Sequence, residues 1–87
     1  MELVEIRNIV RKDAPVLYRR SFAAEAVLKY DDVTTRSRRI SFILEHTPTS
    51  GIQVQAEFLE IPDYPLVPAL RMLKDHILRL DAKGLLP

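Results

Sequence analysis

The sequence predicts an α+β domain: a three- or four-stranded antiparallel β-meander with one C-terminal α-helix packed on one face. Apolar residues alternate with polar ones from Val16 to Phe58, the rhythm of half-buried strands. The rhythm then changes to helical spacing at Leu66, Leu70, Leu73, Ile77 and Leu80. Between the alternating runs stand the turn formers Asp31-Asp32 and Pro48 with Gly51.

Residues 2–12 satisfy two patterns. Val4, Ile6 and Val10 alternate as in a strand, whereas Leu3, Ile6 and Val10 share one side of a helix. Their β-branched content favours the strand, with a helix as the alternative. After the breaker Asp13-Ala14-Pro15, a strand over 16–30 places Val16, Tyr18, Phe22, Ala24, Ala26, Leu28 and Tyr30 on one face, with Arg20 as the misfit. Strands over 36–46 and 51–61 use the same even parity, with Ile40, Phe42 and Leu44 in one and Ile52, Val54, Ala56 and Phe58 in the other.

That shared parity restricts the turns. Residues opposite each other in an antiparallel pair show their side chains on the same face, so even must meet even and the loops hold an odd number of residues. A three-residue loop at Asp31-Asp32-Val33 sets Tyr30 against Thr34, Phe22 against Phe42 and Ala24 against Ile40. On the other face it sets Arg19 against Glu45 and Glu25 against Arg39. A five-residue loop loses both charge pairs, each worth about 0.2–1 kcal/mol. The second hairpin turns within 47–51.

Three prolines stiffen the connector at 62–67 and its junction with the helix. Because the residue before a proline resists the α conformation, the helix is expected to start at Pro68 and to run to 82, ending at Lys83-Gly84. Leu70, Leu73, Ile77 and Leu80 form its core stripe, Leu66 extends the stripe backwards, and Asp75 is placed to pair with Arg79.

At 87 residues the chain is expected to be one domain that buries about 60–70% of its unfolded surface. It is 47% hydrophobic and 29% charged, in the globular range. A formal charge of +1 generates no strong field towards nucleic acid or an anionic membrane. No apolar run approaches the ~20 residues that span a bilayer, and the acidic start Met1-Glu2-Leu3-Val4-Glu5 is unlike a signal peptide, so a cytoplasmic location is expected. The absence of cysteine removes disulfides, thiolate catalysis and cysteine-ligated zinc.

Other chemistries also lack their parts. Phosphate-cradling loops need several glycines, and the chain has only Gly51 and Gly84. Ser21, Ser37, Ser41 and Ser50 stand in no nucleophile motif. His46 and His76 are far apart and read as hydrogen-bonded boundary residues; Asp31 and Asp32 read as turn formers, and Asp63 as a connector cap. A catalytic pocket would require Tyr18, His46 and Asp63 to converge. No catalytic residue, metal site or cofactor is expected.

Two features exceed what a monomeric sheet and helix need. Leu17, Val27, Ile43 and Leu59 take odd positions on the outer sheet face, and Leu78 points away from the helix stripe. These five residues form the predicted interface of a non-catalytic interaction module, homodimeric through the outer sheet face or a strand edge, or bound to another protein. The alternative is an RNA- or DNA-binding domain using Arg19, Arg20, Arg36, Arg38 and Arg39, although strand geometry divides that cluster between two faces and Glu25 and Glu45 neutralise part of it.

Were residues 2–12 helical, the α-β-β-β-α order would resemble the double-stranded RNA-binding domain. That family has a lysine-rich start to its second helix and a histidine-bearing loop between its first two strands. The corresponding stretches here are Pro68-Ala69-Leu70-Arg71-Met72-Leu73-Lys74 and Asp31-Asp32-Val33-Thr34-Thr35. Neither matches, and no residue is carried over.

Overall fold

A computed structural model describes residues 1–12 and 18–87. Four strands pair in chain order as one antiparallel sheet: β1 (Glu2–Lys12), β2 (Arg19–Lys29), β3 (Thr35–Thr47) and β4 (Gly51–Phe58). One helix, α1 (Leu66–Ala82), packs on the face carrying Phe22, Ala24, Ala26, Leu28, Ile40, Phe42 and Leu44, and inserts Leu73 and Ile77 between them. Phe22 and Phe42 face each other across β2 and β3 and stack with their centroids 4.9 Å apart. The start expected for the second strand, at Val16, lies outside the described residues.

The β2–β3 register is the one that the charge pairs favour: Phe22 opposite Phe42, Ala24 opposite Ile40, Arg19 opposite Glu45 and Glu25 opposite Arg39. Tyr30 N–H closes the loop onto the Thr34 carbonyl at 2.9 Å, and the Asp31 carboxylate accepts from the N–H groups of Val33 and Thr34 at 2.9 and 2.7 Å. Those two donors stabilise the charged carboxylate and hold its pKa below the usual range. At the second hairpin Thr47 pairs with Gly51, whose φ of 71° is easy only for a residue without Cβ.

β1 is a strand, so the α-β-β-β-α order does not arise. Its inward residues are Leu3, Ile6 and Ile9, three apart, whereas Val4 and Val10 are exposed. Two register shifts create this spacing. Val4 is extra between Leu3 and Glu5, and Asn8 with Ile9 stands against Ala24 alone. Asn8 takes the left-handed conformation at φ 53° that such a bulge uses, and its amide donates to the Glu25 carboxylate.

Three boundaries differ from expectation. The helix begins at Leu66, two residues early and with Val67 inside it. Pro68 stands third in the first turn, where no N–H needs an intrahelical partner and the carbonyl four residues back belongs to Tyr64, outside the helix. Leu66 is consequently half exposed and does not extend the core stripe, whose most buried members are Ala69, Leu73 and Ile77. β4 stops at Phe58 rather than 61 because the Glu60 side chain accepts the Arg39 N–H at 2.8 Å, in place of a further rung of the ladder. The helix ends as expected: Gly84, with φ 68°, donates to the Asp81 carbonyl and Leu85 N–H to that of Leu80, both at 3.0 Å. Leu86 then packs against the core.

Candidate interaction surface

The outer sheet face is a polar mesh. Arg19 meets Glu45 at 3.4 Å, Arg39 meets Glu60 at 3.5 Å, and the Ser41 hydroxyl donates to Glu57 at 3.2 Å. Glu25 faces Arg39 in register but takes its hydrogen bond from Asn8. Val27, predicted as an exposed contact, is only 7% exposed, because it lies on an inner strand flanked on both sides. Ile43 is half-buried among Ser21 and Gln55, which stand opposite it. Leu17 lies outside the described residues. No continuous apolar patch forms from these predicted positions on the outer face.

The two sheet edges are unlike each other. β1 carries two bulges and the charged residues Glu2, Glu5, Arg7, Arg11 and Lys12, devices that prevent another strand from pairing. β4 pairs with β3 without any shift, contains no proline or lysine, and has Glu57 as its only charge. Beyond the strand, Leu59 N–H donates to the Arg39 carbonyl on β3. Since the direction of backbone groups alternates, the N–H and C=O of Ile52, Val54, Ala56 and Phe58 point to the open side. Among the described residues no strand pairs there.

The helix borders this edge. Of the strands, β4 approaches α1 most closely, while a depression between helix and β1 is lined by Leu3, Met72 and Arg79. The opposite helix flank, with Val67, Leu70, Lys74 and Leu78, therefore overhangs the β4 side. Val67 is 67% exposed and Leu78 38%, and Leu59, 51% exposed, follows the end of β4. Two of the five predicted contacts, Leu59 and Leu78, are thus associated with this ledge rather than with a face. Sequence reasoning missed Val67, which it assigned to the connector, and the signal that marks β4 as the open edge: neutral Gln53 and Gln55 where β1 has charges.

The arginines do not assemble into one surface. Arg20 turns inwards and binds Asp81 at 2.9 Å, with His46 Nε2 at 3.3 Å. Arg38 reaches the connector, towards the Ile61 carbonyl and Asp63. Arg19 and Arg39 point outwards with glutamate partners, and Arg36 folds onto the neighbouring Thr35 carbonyl. Tyr18 and His46 are adjacent, His46 N–H bonding to the Tyr18 carbonyl at 2.9 Å. Asp63 is at the other end of β2, where its N–H donates to the Tyr30 hydroxyl at 3.1 Å. The three do not converge. Among the described residues no group of three histidine or acidic side chains is placed to hold a metal ion, and no helix is long and apolar enough to cross a membrane.

His76, half-buried on the helix, has its pKa lowered from 6.5, first by burial and then by the positive charges of Arg79 and Lys83. The unfolded chain therefore binds the proton more readily. The contribution of neutral His76 to stability is complete above 6.5 and declines as pH falls from there towards the lower folded value. Thermal melts of wild type and His76→Gln between pH 8 and 5 are expected to show a shallower acid-side loss in the variant. Parallel curves would refute this.

Fold and surface together define a four-stranded meander domain with one covered face, one guarded edge and one open edge. The model of the BB_0187 family matches residues 1–82, and the chain belongs to that family. No curated protein and no solved structure matches the chain significantly.

Proposed function

We propose that this protein is a small non-catalytic interaction module that uses the open edge of β4, with the adjoining helix flank, to accept an extended strand. The inequality of the two edges carries this reading: one is bulged and charged, the other regular, nearly neutral and bordered by exposed apolar side chains. Strand addition obtains affinity from main-chain hydrogen bonds and selectivity from alternate side chains, and β4 offers both on one side. The dispersal and pairing of the arginines favour this reading over nucleic-acid binding.

The test is an NMR titration of the labelled protein with a synthetic peptide of residues 52–58. Perturbation and slowed exchange confined to the Ile52, Val54, Ala56 and Phe58 amides are expected. Unchanged amide signals at millimolar peptide would overturn the proposal.

A further inference from the structure

We infer that the strand which β4 accepts is β4 of a second copy of this chain, paired antiparallel about a twofold axis through Gln55. The inference rests on the reading of β4 as an open edge and names its occupant. Backbone polarity sets the first condition. Only Ile52, Val54, Ala56 and Phe58 offer N–H and C=O groups outwards, so these must meet the same groups of the partner strand. Even positions therefore oppose even positions, and both helices end on the same face of a continuous eight-stranded sheet.

Length and charge select the register. Full overlap of residues 52–58 on themselves centres the pair on Gln55, with Val54 opposite Ala56 of the second copy and Ile52 opposite Phe58. Glu57, the only charge on the strand, then faces the neutral amide of Gln53 of the second copy, so no like charges meet. Leu59 comes opposite Gly51, where nothing lies within 4 Å of the position a Cβ would occupy. The flanks bearing Val67 and Leu78 approach each other above the new rungs and lose their exposure.

The chain has no cysteine, so a single introduced thiol reports the register without background. Gln55 at the axis forms a non-hydrogen-bonded pair with its own copy, within the reach of a disulfide. Gln53 and its copy are displaced along the strand by roughly 13 Å, beyond that reach. Oxidation of Gln55→Cys by glutathione disulfide is expected to cross-link most of the protein, and Gln53→Cys little. Light scattering of wild type should give twice the chain mass. Ala56→Pro, which removes an outward N–H and no rung of the β3 ladder, should give the single mass with an unchanged β spectrum. Equal cross-linking at positions 53 and 55, or a wild-type monomer at several hundred micromolar, would overturn the inference. If that monomer still bound the 52–58 peptide through its β4 amides, the open-edge reading would stand without self-pairing; if it did not, both would fall.

Discussion

Replacing Phe42 by alanine is expected to cost about 3–5 kcal/mol, and to lower the melting temperature by more than about 12 °C. Phe42 is 1% exposed, stacks on Phe22 and stands between Phe22 of β2 and Ala56 of β4, with Leu73 and Ile77 of the helix in the same cluster. Removing the ring deletes apolar burial and leaves a cavity that the surrounding elements cannot close by a small shift. For a chain of this length total stability is about 4–13 kcal/mol, so the loss approaches or exceeds half of it at the lower end. Phe58→Ala is the internal comparison. The same side chain is removed, but from the half-buried edge strand, where solvent already reaches one side. Its cost should be well below that of Phe42→Ala in urea unfolding. Equal midpoints for the two variants would show that the core is not centred on the Phe22–Phe42 pair.

The same pair explains why so much of the sheet is legible in the sequence. Once Phe22 and Phe42 share a parity, one loop length fixes every rung of β2 and β3, and the charges at Arg19, Glu45, Glu25 and Arg39 select that length. The helix end is legible for a local reason, Gly84 being the residue that tolerates φ 68° after the last turn.

β1 is ambiguous because a bulge breaks the period on which sequence reading depends. Leu3, Ile6 and Ile9 have helix-like spacing, yet the extra residues Val4 and Asn8 bring all three to one face of a strand. The helix start departs from the pre-proline rule because that rule is statistical, whereas Pro68 in a first turn meets no carbonyl of an earlier turn. The candidate surface is only half legible. Parity distinguishes one face from the other but not an inner strand from an edge, so it places Val27 on the surface although its neighbours cover it. Leu59 and Leu78 are exposed as their positions predict, but their relation to β4 depends on the position of the helix.

The second large effect is expected at the opposite end of the helix. Arg20 is the misfit on the inner face of β2, and Asp81 sits in the last turn of α1, where a carboxylate is disfavoured by the helix dipole. They meet at 2.9 Å, with side chains 21% and 14% exposed. Each charge tolerates its place because of the other, and the pair ties the end of the helix to the start of β2. Asp81→Ala leaves the guanidinium partly buried with only His46 beside it and is expected to cost about 1–3 kcal/mol, despite relieving the dipole. Arg20→Met should cost a similar amount by stranding the carboxylate. The double replacement Arg20→Met with Asp81→Leu fills the same space without charge and is expected to recover most of the loss, since a buried pair is often no better than its apolar substitute. Urea denaturation of the four proteins forms a cycle. Costs that simply add would mean that the two groups act independently, and that the inward turn of Arg20 arises from packing alone.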